Sequence, residues 1–290
     1  RPVVPSTIIV FVLWVPLSIP IKNSLSPIFF SPFSALQILC ISSPSIICIM
    51  MLISLSILDY EQDLVANSSD VSKSKFMPII LDLIRTGKIS RIHIDVMRPP
   101  MIPHRTAFSL ESIQSMYQSL SDKIPLAAHL MVNDPFPFVE KMCSFIPREK
   151  RENFEIFIQR ESFKSEAETV KALESLRKLD FSSGICLNLP TSTELLTANI
   201  IETSDVVLLM TVPMGAGGQE YSEEGSKRIS FFSKMFPSKN IAVDGGINNR
   251  TIVEAKRAGA KIAVVGSFIT RSKNPVKTIL ELEMILKQSS

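Results

Sequence analysis

Ile92-His93-Ile94-Asp95-Val96-Met97 alternates apolar and polar residues, the period of a short β-strand. Side chains two apart on a strand leave the same face. His93 and Asp95 therefore project together, a neutral nitrogen donor beside a carboxylate. Such a pair is half of a metal site or half of an acid/base site. Its meaning depends on what the rest of the chain brings to the same place.

Outward from that strand, from Met51 onward, strands and helices alternate with short connections. Strands are predicted over 52–58, 90–97, 125–131, 154–159, 184–188, 205–211, 240–243 and 260–265. Between them lie a charged helical segment ending near Arg85 and a helix capped by Ser109, with Ser112 three residues on. A helix over 135–145 carries prolines in its first turn. Others cover 164–179, a short piece from Thr191 with Thr193-Glu194, 223–235, 248–258 and 275–287. Eight β/α units in about 240 residues, with strands apolar enough for burial on both faces, predict an α/β fold, a (β/α)8 TIM barrel. A doubly wound open sheet is the alternative; no G-x-G-x-x-G follows the first strand to support it.

Residues 1–50 differ in kind. Up to about Leu58 the only cations are Arg1 and Lys22, and Thr7-Ile8-Ile9-Val10-Phe11-Val12-Leu13-Trp14-Val15 is strongly apolar. Three readings compete for this hydrophobic N-terminal extension: a targeting segment, a membrane anchor, or upstream sequence translated from a misplaced start. The expected organisation is this extension at 1–50 and a barrel catalytic domain at 51–290. A membrane is a partner only if the extension belongs to the mature protein.

Net charge is +3, too small to argue for nucleic acid. Cys40, Cys48, Cys143 and Cys186 show no CxxC pairing, which fits a reducing, cytoplasmic compartment better than a disulfide framework. Organelle targeting by residues 1–50 is the alternative localisation.

In a barrel, chemistry gathers at the C-terminal strand ends. Read there, the chain presents Ser54 and Ser56, then His93 and Asp95, then His129, then Gln159 and Glu161, then Asn188. Strand six ends Met210-Thr211 before Gly215-Ala216-Gly217-Gly218-Gln219. Strands seven and eight end in Asp244-Gly245-Gly246 and Gly266-Ser267. His93, Asp95, His129 and Asp244 could converge on one divalent ion, zinc, manganese, iron or cobalt. His104 sits in a Pro-rich loop and reads as surface. Glycines after strands six, seven and eight expose backbone N–H groups that can cradle a phosphate. A cation between two aspartates suits proton abstraction beside a carbonyl, one carboxylate taking the proton and the other returning it from the opposite face. Met97, Met131 and Met210 near the same strand ends could shield a flat intermediate or simply fill the core.

At these residues the chain resembles ribulose-phosphate 3-epimerase. Ser56-Ile57-Leu58, His93-Ile94-Asp95-Val96-Met97, His129-Leu130-Met131-Val132, Leu209-Met210-Thr211-Val212, Gly215-Ala216-Gly217-Gly218-Gln219, Val243-Asp244-Gly245-Gly246-Ile247 and Val265-Gly266-Ser267 stand in that family's order. The resemblance implies a pentose-phosphate-pathway enzyme interconverting ribulose 5-phosphate and xylulose 5-phosphate, a homo-oligomer with a sugar phosphate as its small-molecule partner. It implies Asp95 and Asp244 as the acid/base pair, and His93, Asp95, His129 and Asp244 as metal ligands. Ser56, His129, Gly215, Ala216, Gly217, Gly218, Asp244, Gly245, Gly246, Gly266 and Ser267 would hold the substrate.

The chain also departs from the family. Arg98-Pro99-Pro100-Met101-Ile102-Pro103-His104 replaces Asp-Gly-x-Phe-Val-Pro-Asn, and Arg98 is expected to change the charge at the mouth. Gln159 stands where strand four usually ends in histidine, Ala216 replaces an aromatic residue, Met214 a proline, and Leu55 a proline. Two alternatives follow: an epimerase of a hexulose phosphate such as allulose 6-phosphate, or a barrel that binds a sugar phosphate without turnover.

Overall fold

The computed structural model describes residues 51–289. Eight parallel strands close into a barrel in sequence order. They are β1 (Leu52–Ser56), β2 (Arg91–Met97), β3 (Leu126–Met131), β4 (Phe154–Gln159), β5 (Ser182–Leu187), β6 (Val206–Met210), β7 (Asn240–Asp244) and β8 (Ile262–Val265). The ring is completed where β1 pairs with β8, Leu55 opposite Val265. Helices α1 (Glu61–Ala66), α2 (Met77–Arg85), α3 (Leu110–Leu120), α4 (Phe136–Phe145), α5 (Glu166–Lys178), α6 (Ala198–Thr203), α7 (Glu223–Met235), α8 (Thr251–Ala258), α9 (Ser267–Thr270) and α10 (Pro275–Gln288) connect and follow the strands. The TIM barrel expected from the sequence is the fold observed.

Closure gives each strand two buried faces, and the period of two sorts residues between them. Outward residues such as Leu55, Ile92, Ile94, Leu130 and Ile158 pack in one large core with helix residues such as Ile80, Leu83, Ile113 and Leu282. Inward residues form a second, smaller cluster that includes Ala127, Phe157, Cys186, Leu208, Met210, Ala242 and Val264. The polar residues of the sequence pattern fall on that inner face. Register places Ser56 opposite His93 and Asp95 opposite His129, so these side chains meet at the top of the barrel. Lower down, Arg91 and Glu155 form a partly buried ion pair.

Local chemistry explains most element ends. Ser109 caps α3 in a reciprocal box with Ser112, as the sequence predicts. Ser165 caps α5 by accepting from the Glu168 N–H. Three details differ from expectation. The helical segment before Arg85 is split, because Asn67-Ser68-Ser69-Asp70 turns the chain and Asp70 Oδ1 accepts from Ser72 N. The helix expected from Thr191 is only a 3-10 turn, Thr193–Leu195; the α-helix starts later, capped by Thr197. A one-turn helix, α9, follows β8 where none was foreseen. Cys143 and Cys186 are free thiols. Among the described residues no helix is long and apolar enough to cross a membrane. The targeting, anchor and misplaced-start readings of residues 1–50, with Cys40 and Cys48, lie outside the described residues.

Inside the barrel, the Phe157 ring occupies the space over Gly184, its register partner on β5. A Cβ on Gly184 would lie 2.2 Å from a Phe157 ring carbon. Gly184→Ala therefore overpacks the barrel axis and is expected to cost about 1–3 kcal/mol of stability. Urea unfolding measures it; an unchanged midpoint would mean the ring is free to move away.

Candidate metal and acid/base site

The four residues that could hold an ion meet at the C-terminal mouth. His93 Nε2 and His129 Nδ1 each lie 3.3 Å from Asp95 Oδ1. The same two nitrogens lie 3.8 and 3.9 Å from Asp244 Oδ2. One donor atom from each of His93, Asp95, His129 and Asp244 falls within 4.8 Å of all the others. Both imidazoles are wholly buried. Yet His93 Nδ1, His93 Nε2 and His129 Nδ1 have no hydrogen-bond partner. Buried polar atoms are normally paired. Two unpartnered nitrogens aimed at the same two carboxylates are what a divalent cation would satisfy, so the donor set fits one.

The surroundings hold this cluster in place. Ser56 Oγ donates to Asp95 Oδ2 at 2.9 Å. Gln159 Nε2 lies 2.8 Å from His129 Nε2. The Phe157 ring forms the floor, with its centroid 5.8 Å from that of His93 and 6.4 Å from that of His129.

Electrostatics separate the two carboxylates. Burial alone would raise Asp95, but the charge of His93 and the closeness of both imidazoles outweigh it and hold this carboxyl well below its usual range. Asp244 is pushed up to about 7, by burial first and then by the charge on Asp95. His93 is raised, because Asp95 and Asp244 outweigh its burial; His129 is lowered, because burial wins.

Above the cluster opens a cavity whose wall includes Ser56, Asp95, Gly215, Ala216, Gly217, Gly218, Asp244, Gly245, Gly246, Gly266 and Ser267. These are the residues expected around a substrate, with one exception: His129 lies beneath the wall. Met97, Met131 and Met210 also line it. Gly246 needs its lack of a side chain, since its φ is +64° and a Cβ would lie 2.3 Å from the Tyr221 nitrogen. His104 is exposed, as expected.

Several contributors had no role assigned to them from the sequence. Glu161 Oε1 accepts from Asn188 N at 2.9 Å, and Asn188 Oδ1 accepts from Met214 N at 2.9 Å. These bonds link the ends of β4, β5 and β6 and steady the glycine loop. Asp59 accepts from Arg271 Nε at 3.0 Å and from Thr270 Oγ1 at 2.5 Å, latching the loop after β1 to α9 beside Gly218. Arg98 does not line the cavity. Its guanidinium donates to the carbonyls of Met97, Ala107 (2.7 Å) and Phe108 and lies over the Phe138 ring. The expected change of charge at the mouth thus becomes a fastening of the loop over 98–108.

The ribulose-phosphate 3 epimerase family model matches residues 77–270. Ribulose-phosphate 3-epimerase of Helicobacter pylori is 30% identical over 205 residues, 69% of this chain and 88% of that protein. The Aquifex aeolicus enzyme of the same name is 31% identical over 196 residues, 65% of this chain and 81% of its own. Among solved structures, 3-keto-L-gulonate-6-phosphate decarboxylase of Vibrio cholerae superposes with a TM-score of 0.56 at 9% identity, covering 83% of this chain and 99% of the other, a likeness of fold alone.

The raised Asp244 carboxyl has a measurable consequence in metal-free protein. Its folded-state pKa, about 7, lies above the ordinary 3.8. Below about pH 4 both folded and unfolded chains hold this proton, and the group contributes nothing. As pH rises toward 7 the unfolded chain loses the proton first, so ionisation progressively destabilises the fold. In the presence of chelator, Asp244→Asn is expected to resist urea better than the unsubstituted protein at pH 8. That advantage should shrink toward pH 4. A gap that does not vary with pH would count against this electrostatic account.

Proposed function

The chain belongs to the ribulose-phosphate 3-epimerase family, and we propose that it inverts C3 of ribulose 5-phosphate to give xylulose 5-phosphate. The observation that carries this reading is the convergence of one buried and one half-buried carboxylate with two imidazoles, each with an unpartnered nitrogen, under a wall of glycine loops.

In the proposed reaction one aspartate removes the proton on C3. The C–H electron pair moves into the C2–C3 bond and the carbonyl becomes an enediolate. The other aspartate delivers a proton to C3 from the opposite face, and the carbonyl reforms. Nothing is oxidised or reduced overall, so no redox cofactor enters. The split between Asp95, held ionised, and Asp244, pushed toward its protonated form, supports an acid and a base in one site. His93, Asp95, His129 and Asp244 would hold one divalent ion, zinc, manganese, iron or cobalt, which when bound stabilises negative charge on the enediolate oxygens. Ser56 orients Asp95 through its hydrogen bond. Met97, Met131 and Met210 keep water from the planar carbon while it lacks its proton. Backbone N–H groups of Gly215–Gly218, Gly245-Gly246 and Gly266-Ser267 hold the phosphate, with His129 acting from below the wall.

A second reading shares this machinery: epimerisation of a hexulose phosphate such as allulose 6-phosphate. Ala216 favours it, since a methyl group lines the cavity where the family carries an aromatic side chain.

Two measurements test the proposal on the purified full chain. Titration with zinc, manganese, iron(II) or cobalt is expected to raise the unfolding temperature and saturate at one equivalent. The shift should be lost in His93→Ala and His129→Ala. With metal bound and the substrate in deuterated buffer, deuterium is expected at C3, and Asp244→Asn should slow its entry about 100- to 10,000-fold. Metal uptake without exchange at C3 of either a pentulose or a hexulose phosphate would leave a binding barrel and overturn the catalytic reading. Full exchange in Asp244→Asn would overturn the acid/base assignment alone.

A further inference from the structure

Gln159 ends β4 beside His129, and both side chains are completely buried. Their nearest atoms are two nitrogens, Gln159 Nε2 and His129 Nε2, 2.8 Å apart. An amide nitrogen has only protons to offer. The contact is a hydrogen bond only when His129 Nε2 presents its lone pair, which places the ring proton on Nδ1. Nδ1 is the atom that faces Asp95 at 3.3 Å and Asp244 at 3.9 Å. With a proton there it can face carboxylates but cannot bind a cation.

The other half of the amide is unused. Gln159 Oε1 is buried and has no partner. A half-turn of the amide exchanges Oε1 and Nε2 with little change of shape. Oε1 then accepts from His129 Nε2–H, and Nδ1 presents a lone pair to the ion. The ring proton has moved from Nδ1 to Nε2, and the imidazole stays neutral throughout. Cys186 favours the turned amide. Its Sγ lies 3.5 Å from Gln159 Nε2. Burial pushes this thiol well above its ordinary pKa, so it remains an S–H donor, better matched to an oxygen than to an amide nitrogen.

We propose that Gln159 is the positioning residue that selects the metal-ligating tautomer of His129, its amide oxygen accepting from His129 Nε2–H. The proposal rests on the metal site described under the proposed function. Histidine ligands commonly donate their second N–H to a carboxylate or a carbonyl. A carboxylate here could only accept. An amide can serve either tautomer of His129, so Nε2 keeps a partner in each.

The test compares unsubstituted protein, Gln159→Glu and Gln159→Met as full chains. Glutamate keeps the acceptor; methionine keeps the approximate shape and loses it. Zinc and cobalt affinities are measured by competition with a chelator, and the histidine ring 15N shifts are recorded with and without zinc. Gln159→Met is expected to bind zinc about 10- to 100-fold more weakly. Gln159→Glu should stay close to the unsubstituted affinity. In the unsubstituted protein with zinc bound the 15N spectrum should show His129 protonated on Nε2, and in Gln159→Met that preference should weaken. Equal affinity in all three proteins overturns the proposal. So does equal weakening in both variants, because the side chain would then be filling space rather than accepting a proton. A His129 that carries its proton on Nδ1 in the zinc-bound protein overturns the tautomer selection. If the unsubstituted protein takes up no metal, the metal site itself has failed and the role of Gln159 falls with it, a result distinct from the others.

Discussion

Two carboxylates and two imidazoles share a few ångströms at the mouth of a closed barrel, and the rest of the site is arranged around that crowding. Taking an ionised group out of water is costly unless it is paired. Asp95 meets the cost through two histidines and the Ser56 hydroxyl. Asp244 faces the same histidines at longer range and feels the Asp95 charge, so it is pushed toward its protonated form. The asymmetry between chemically identical side chains comes from position on the barrel: Asp95 lies beside His129 across the β2–β3 pairing, whereas Asp244 reaches in from β7. A pair of acids with separated proton affinities is what stepwise inversion at carbon needs.

The barrel was legible because its evidence is local. Each strand announces itself by composition and helices such as α3, α5 and α10 by their caps, and eight repetitions of the unit leave few architectures. The four ligand-bearing residues were legible for a related reason. Period two puts His93 and Asp95 on one face, and residues at strand ends in a barrel converge whatever their distance in sequence. What could not be read is what depends on register between distant strands. Gly184 reads as an ordinary strand glycine until β5 is set against β4 and the Phe157 ring is found over it. Asp59, Thr270 and Arg271 are unremarkable residues more than 200 positions apart; only closure of the ring between β8 and β1 makes them a latch. The errors in the helical segments have a simpler cause. Ser-, Asn- and Thr-rich stretches such as Asn67–Asp70 support caps and turns as readily as helices, and their side-chain bonds decide which.

Arg98 shows how a substitution can change meaning between sequence and structure. In the linear chain it is a new charge beside the catalytic strand. In the fold its planar fork gathers three backbone carbonyls, the kind of work guanidinium does well and a neutral residue could not. The loop after β2 is thereby fastened from beneath. Its Ile102 side chain rests 3.2 Å from the point where a Cβ on Gly215 would sit, so the loop also bears on the glycine turn after β6.

Strand ends and loops therefore divide the labour unequally. The proposed proton carriers and ligands stand on β2, β3 and β7, where ladder hydrogen bonds on both sides hold each backbone. The departures from the family at Arg98–His104, Met214 and Ala216 fall in the loops after β2 and β6, whereas those at Leu55 and Gln159 fall on β1 and β4 without removing a ligand-bearing residue. Strand positions tolerate little, because a shift of one residue would turn each side chain to the opposite face. Loops can be rebuilt while the strand-borne atoms keep their spacing. Selection among ketose phosphates that differ in length or in distal hydroxyls needs only the rim, whereas the chemistry at C3 needs only the floor. The contact between Ile102 and Gly215 is where a rebuilt loop after β2 would be felt by the glycine turn after β6.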